Sequence, residues 1–552
     1  MTNTKPGFDT LAVHAGAAPD PATGARSTPI YQTTAYVFDD VDHAASLFNL
    51  QAFGNIYSRL TNPTVAVLEE RIASLEGGRG ATCVASGHAA QMLAFFSFME
   101  PGDEFLAASK LYGGSITQFS RSFKKFGWNA IFVDPTEPEN FRKAMTPKVK
   151  AIFVECLANP GGVIVDIEAV AKIAHEAGVP LIVDNTMATP YLCRPFDYGA
   201  DIIVHSTTKF LSGHGNAMGG AVVDSGKFDW AQNDKFKSLT TPEPAYHGLN
   251  FYETFGDLAF TIYGHAMGLR DLGPTMAPMN AYLTITGIET LPLRMQRHVE
   301  NAQKVAEFLE DHPQVAWVSY AGLPSSKHHA LARKYLPKGA GSVFTFGVRG
   351  GYEAGVKLVE GCELLSHLAN IGDTRSLIIH PASTTRRMWC ACPSASKRWK
   401  TSWPISTRPW PRRRRDPARA PGGLLQQEDP SGVRHRGCHG SALQIIVIGA
   451  PGGGCRLEGG RAIEDAAHPR LAAGLGEAQH AFHILARWRA DMAAIGGDGH
   501  HLQTDEPFRV PEAERLAGDE AGEERPDEGQ QRVQPPLRHA FRQIDDFQQD
   551  AF

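Results

Sequence analysis

The sequence predicts an α/β fold: a mostly parallel sheet covered by helices, followed by a smaller α+β domain at the C-terminal side. Short apolar runs alternate with amphipathic stretches through residues 150–224, at the spacing of strand–helix–strand units. Polar residues gather where those runs end, which is where a parallel sheet collects its chemistry. Beyond about residue 265 the pattern shifts to longer helices and then two further apolar strands.

Taken in order, "VASGHAAQMLAFFSF" (84–98) reads as an apolar helix that opens at Ser86-Gly87-His88. "AIFVE" (151–155) is a strand that stops at "CLANPGG". In "DIEAVAKIAHEAG", Ile167, Val170, Ala171 and Ala174 recur at helical spacing, and the strand "PLIVDN" (180–185) follows. "DIIVHS" (201–206) and "GGAVVD" (219–224) continue the series. The long stretch "ITGIETLPLRMQRHVENAQKVAEFLEDHP" then reads as helix, before the strands "AWVSYAG" and "SVFTFGV". These runs predict a large domain over 61–264 and a smaller, incomplete one over 265–385, preceded by an N-terminal arm over 1–60.

Composition narrows the classes. At 552 residues the chain has room for more than one domain and a large core. A net charge of −5 with 42% hydrophobic residues weighs against bulk binding to nucleic acid. The opening "MTNTKPGFDTLAVHAG" lacks the apolar segment of a secretory signal, and no apolar run approaches the roughly 20 residues that span a bilayer. Eight cysteines without a C-x-x-C pair supply neither a disulfide framework nor a zinc site. The expectation is a cytoplasmic protein with no metal, membrane or nucleic-acid partner.

"HSTTKFLSGHGNAMGG" (205–220) carries the most chemistry. Alone, Lys209 would be read as an ordinary exposed lysine. Asp184, at the end of the preceding apolar strand, changes the weighing. A carboxylate and a lysine at one sheet edge can serve a pyridine cofactor, the acid on its ring nitrogen and the amine bound covalently. Ser86-Gly87-His88 offers free backbone N–H groups for a phosphate, although a plain helix cap is the simpler reading.

Together these motifs resemble the Cys/Met-metabolism family of pyridoxal-phosphate enzymes, of fold type I. The resemblance runs from about residue 7 to 385 through "YSRLTNPT" (57–64), "ASGHAAQ" (85–91), "LYGGS" (111–115), "ANPGG" (158–162), "VDNT" (183–186), "STTKFLSGHG" (206–215) and "DTRSLIIHPASTT" (373–385). Within it, "EPAYHGLNFYETFG" (243–256) and the segment 269–302 resemble the O-acetylhomoserine sulfhydrylase branch.

The resemblance implies pyridoxal 5'-phosphate as cofactor, held by Lys209, which also shuttles protons. It implies Asp184 on the ring nitrogen, Tyr112 against the ring face, and Asn159 on the phenolic oxygen. Ser206, Thr208 and the backbone of Gly87 and His88 would hold the phosphate. Tyr57 and Arg59, on the N-terminal arm, would reach the cofactor of a neighbouring subunit, which implies a homo-oligomer, a dimer of dimers. Arg375 would clamp the substrate carboxylate. The implied reaction takes O-acetylhomoserine and sulfide, or methanethiol, to homocysteine, or methionine, and acetate. Methionine γ-lyase or cystathionine γ-synthase activity is the alternative, as is an inactive remnant.

The last alternative comes from the tail. All thirteen tyrosines lie before residue 385, and neither Tyr nor Asn follows it. Four tryptophans and the run Arg412–Arg415 crowd residues 380–423. Met388-Trp389 must be encoded ATG-TGG, and reading one base earlier forces a Val codon. Trp399-Lys400 likewise forces Glu, and Trp403-Pro404 and Trp410-Pro411 each force Ala. With G/C-rich choices elsewhere the segment reads "DVVRLSVGIEAVEDLVADLDQALAK", a strand and an amphipathic helix. Residues 386–552 are therefore expected to be an out-of-frame tail with no domain. Cys390 and Cys392 lack further ligands, and "APGGGC" (450–455) lacks the Lys-Ser/Thr ending of a phosphate loop.

Overall fold

The computed structural model describes residues 6–159, 161–380 and the backbone of 441–446. Gly7–Glu458 forms one compact unit, and the sequence-based expectations for the rest of 386–552 lie outside the described residues. No helix among the described residues is long and apolar enough to cross a membrane.

The large sheet has seven strands: β1 (Gly80–Val84), β2 (Glu104–Ala108), β3 (Asn129–Val133), β4 (Val149–Glu155), β5 (Leu181–Asp184), β6 (Ile202–His205) and β7 (Gly220–Asp224). Their order is β1-β7-β6-β5-β4-β2-β3. The run from β6 to β3 is parallel, and β7 is antiparallel to both its neighbours. Strands β4 to β6 are apolar along nearly their whole length because both faces are covered by helices. Helix Ile167–Glu176 is one cover. The Asp166 carboxylate caps it by accepting from the Ala169 N–H, and the apolar positions read from the sequence are buried.

An aromatic cluster sets the helix that opens the site. Phe95, on helix Gly87–Phe96, packs 4.3 Å from Phe105 of β2 between ring centroids. Phe119 joins it, 4.9 Å from Phe153 of β4, and all four rings are fully buried. Replacing Phe95 by alanine leaves a void under the helix. Phe95→Ala is expected to cost about 3–5 kcal/mol of stability, read from the shift in urea unfolding midpoint.

The predicted helix through 285–313 is two helices, Pro278–Glu289 and Leu291–Asp311. Pro292 sits at the second start, where its missing N–H is tolerated. The first packs on helix Pro63–Glu76 of the large domain, so the smaller sheet itself begins later than residue 265. Its strands are β8 (Val315–Ser319), β9 (Val343–Val348), β10 (Ser366–His367), β11 (Leu377–Ile379) and β12 (Ser441–Ile446), in the order β10-β11-β12-β9-β8. The tail reading left this sheet without a strand. In the structure, β12 takes the place between β11 and β9, antiparallel to both.

Candidate active site

The carboxyl ends of β4, β5 and β6 place the chemistry. Glu155 and Asp184 are register partners at the ends of β4 and β5, and Ser206 follows β6. Asp184 Oδ1 accepts from the Thr186 N–H at 2.9 Å, and Thr186 Oγ1 accepts from the Ser206 N–H at 2.8 Å. Gln91 Nε2 donates to Ser115 Oγ at 2.9 Å and lies 3.4 Å from Asp184 Oδ2. The carboxylate end and the Ser206 end are thereby linked through one threonine.

The turn after β6 carries Lys209. Thr208 Oγ1 exchanges bonds with Gly219, donating to its carbonyl at 3.1 Å and accepting from its N–H at 3.0 Å. Arg294 donates to the carbonyls of Phe210 and Leu211, at 2.8 and 3.3 Å, which fixes the far side of the turn. Lys209 Nζ donates to Asn370 Oδ1 at 2.6 Å. Burial pulls the Lys209 ammonium below its ordinary pKa, which favours a nucleophilic neutral amine. Gly372, at φ +74, lies so close that a Cβ there would stand 2.5 Å from Phe210 N. The segment before Arg375 is therefore packed onto the lysine turn.

Opposite the turn, helix Gly87–Phe96 begins at Ser86, whose side chain caps the Ala89 N–H. The first N–H groups of a helix have no partner within it, so Gly87 and His88 present theirs outward. A Cβ on Gly87 would fall 2.7 Å from that of Ser206. Only glycine leaves the gap between helix start and Ser206 open, and an anion there meets N–H groups, a hydroxyl and the positive end of the helix. The His88 imidazole is held below its usual pKa by burial, with the Lys209 charge adding and Asp184 opposing. It is thus set toward the neutral form beside that anion site. Its ring lies 6.0 Å from that of Tyr112, which is 51% exposed and faces the open side.

A phosphate cradle, an amine with depressed basicity, an exposed aromatic face and a strand-end carboxylate make a donor set that fits pyridoxal phosphate. The structure brings together Lys209, Asp184, Ser206, Thr208, Gly87, His88, Tyr112 and Asn159. Tyr57 and Arg59 stand apart and are exposed, the guanidinium 5.5 Å over the tyrosine ring. Arg375 is exposed, and among the described residues its guanidinium makes no hydrogen bond or ion pair. Its N–H donates to Asp373 Oδ1 at 3.0 Å.

Sequence reasoning missed Glu155, Gln91 and Asn370. Glu155 had a signal, since it closes "AIFVE" as Asp184 closes "LIVD". Asn370 had none, because its contact with Lys209 spans 161 positions.

On the far side of the same strand ends is a buried polar network. Asn185 Nδ2 donates to Glu76 Oε1 at 2.7 Å, and His205 Nε2 lies 2.6 Å from the same oxygen. All three residues are fully or almost fully buried.

Residues 9–393 match the family described as Cys/Met metabolism PLP-dependent enzyme. The chain is 52% identical over 394 residues to the O-acetyl-L-homoserine sulfhydrylase of Leptospira meyeri, covering 70% of this chain and 88% of that one. It is 49% identical over 380 residues to O-acetyl-L-homoserine sulfhydrylase 1 of Thermus thermophilus, covering 68% and 90%. Among solved structures it superposes with a TM-score of 0.67 on a Campylobacter jejuni protein described as an O-acetylhomoserine (thiol)-lyase. That protein is 42% identical, covers 68% of this chain and 93% of its own, and was solved with N'-pyridoxyl-lysine-5'-monophosphate.

Proposed function

The chain belongs to the Cys/Met metabolism PLP-dependent enzyme family, and we propose that within it the chain is an O-acetylhomoserine sulfhydrylase. It converts O-acetylhomoserine and sulfide to homocysteine and acetate, with pyridoxal phosphate as cofactor. The observation that carries this reading is the meeting of Lys209, Asp184 and the Gly87–Ser206 gap at one sheet edge, in a chain 52% identical to a sulfhydrylase. When bound, pyridoxal phosphate supplies a cationic conjugated ring that accepts the electron pairs released at substrate carbons.

In this reading each residue has one task. Lys209 holds the cofactor between turnovers, and its amine takes and returns the protons of substrate Cα and Cβ. Asp184 keeps the proton on the ring nitrogen. Ser206, Thr208 and the N–H groups of Gly87 and His88 hold the phosphate, Tyr112 lies along the ring, and Asn159 donates to the phenolic oxygen. The acetate leaves Cγ and sulfide takes its place. Tyr57 and Arg59 act on the phosphate of a neighbouring subunit, so the working unit is a homo-oligomer, a dimer of dimers. Nothing in these roles needs a membrane, and the enzyme is read as cytoplasmic.

Arg375 is read as the clamp on the substrate carboxylate, which requires its guanidinium to turn inward from solvent. A charged bidentate contact of this kind is worth roughly a ten- to hundred-fold change in binding. Arg375→Ala is accordingly expected to raise KM for O-acetylhomoserine by that factor with kcat less changed; an unaltered KM would assign the clamp to another cation.

The activity test is product identification. Purified protein receives O-acetylhomoserine with sulfide, methanethiol, cysteine or no nucleophile. Homocysteine formed only with sulfide supports the reading. Cystathionine from the cysteine arm, or ketobutyrate and ammonia without nucleophile, would replace it with a synthase or a lyase. We further propose that the residues after Thr385 come from another reading frame, with β12 standing in for the strand lost. Resequencing the gene and expressing the frame-restored chain tests this. Higher specific activity than that of the 552-residue chain is the expected result.

A further inference from the structure

Glu155 is buried to 4% exposure, side by side with Asp184 across the β4–β5 register. Its two carboxylate oxygens serve two different loops. Oε1 accepts from the Tyr112 N–H at 2.6 Å, and Oε2 accepts from the Asn159 N–H at 3.0 Å. Those loops leave different strands, β2 and β4, and the two residues they carry face the ring from different directions in the reading above.

We propose that Glu155 is a positioning residue that locks Tyr112 and Asn159 to one another, and both to Asp184, so that the three contacts on the cofactor ring stay in register. The inference rests on the pyridoxal-phosphate reading of the site. The chemistry of the side chain argues for it. A carboxylate offers acceptors on both sides of one planar group, whereas a glutamine of the same shape offers an acceptor and a donor. One of the two loops would then face an N–H with an NH2. A second buried acid beside Asp184 is otherwise a poor choice for stability. Burial, together with the Asp184 charge, pushes the Glu155 carboxyl up to about 8, against the pull of the two N–H bonds. A residue needed only to fill space would not set a second carboxyl beside Asp184, and each oxygen of that group accepts from a different loop N–H.

Glu155→Gln in the full chain tests this. In the cofactor-free protein, hydrogen exchange read at single amides is expected to speed up at Tyr112 or Asn159 by roughly ten-fold or more, with the amides of β4 and β5 still protected. In the cofactor-loaded protein the visible circular dichroism of the bound chromophore is expected to fall by about half or more. Turnover is expected to drop roughly ten- to hundred-fold with a smaller change in KM. In a double-mutant cycle, Glu155→Gln and Tyr112→Ala are expected to lose less together than the product of their separate losses. Wild-type exchange at both amides would overturn the proposal, as would an unchanged dichroic band with unchanged kcat, or multiplicative losses in the cycle. If the glutamine variant does not fold, Glu155→Asp carries the same expectations, because one methylene less cannot reach both loops. A wild-type dichroic band in that variant would overturn the proposal. A wild-type chain that takes up no cofactor would sink the enzymatic reading instead, and the exchange experiment would still judge the two hydrogen bonds.

Discussion

Lys209→Ala is expected to abolish the visible band of bound cofactor and to reduce sulfide-dependent turnover by about 10⁴-fold or more. In the proposed reading the amine has two tasks, covalent attachment and proton transfer, and no neighbour replaces it. Among the described residues the only side chain on its Nζ is Asn370, an amide without basicity. The charges of Asp184 and Lys209 both act on the His88 imidazole, yet in this reading Asp184 is engaged at the ring nitrogen and an imidazole cannot take over the covalent attachment. The cradle of Gly87, His88, Ser206 and Thr208 is untouched by the substitution, so weak, dialysable binding of cofactor should persist. Absorption spectra before and after dialysis separate the two losses. A retained covalent band would place the attachment on another lysine.

Asp184 carries the second large effect, and here two substitutions divide charge from position. Asp184→Asn is expected to lower kcat on the order of 10²–10³-fold with little change in cofactor affinity. The asparagine carbonyl can still accept from the Thr186 N–H, so the link through Thr186 Oγ1 to the Ser206 N–H survives. Lost are the negative charge that the proposed reading sets beside the ring nitrogen and the acceptor 3.4 Å from Gln91 Nε2. Asp184→Ala removes that acceptor as well, which frees Thr186 and with it Ser206. It is expected to weaken cofactor binding in addition, by roughly ten-fold. Titration of both proteins with cofactor, followed by fluorescence, checks the contrast. Equal cofactor affinities in the two variants would show that the threonine link does not hold the cradle.

What the sequence made legible follows physical rules that act locally. Strands buried on both faces write themselves as apolar runs, and polar residues that end such runs stand at the sheet edge, so Asp184, Ser206 and Lys209 were readable together. Gly87 and His88 were readable as a helix start, but the gap that makes them a cradle depends on Ser206, far along the chain. Contacts made only by tertiary folding left no trace. Arg294 gripping the carbonyls after Lys209 is one case, and Asn370 on the lysine amine is another. Pro292 divided one expected helix into two, a boundary that periodicity alone could not register. Arg375 is a different case: its motif lies just after Gly372, which packs on the lysine turn, while its own side chain is exposed. The place of β12 in the small sheet depends on long-range pairing and was not foreseen.

The strand ends at Asp184-Asn185 and His205-Ser206 have a consequence for how this enzyme can evolve. One residue of each pair serves the reaction in the proposed reading, and its immediate neighbour points the other way, into the network around Glu76. Point substitutions at one face can be tried without disturbing the other. Insertion or loss of a single residue in β5 or β6 cannot, because it would exchange the two faces at once, pushing Asn185 or His205 toward the ligand and a reacting residue toward Glu76. Replacement at these strand ends therefore leaves each face where it is, whatever it costs there, whereas a change of length is closed to lineages descended from this chain.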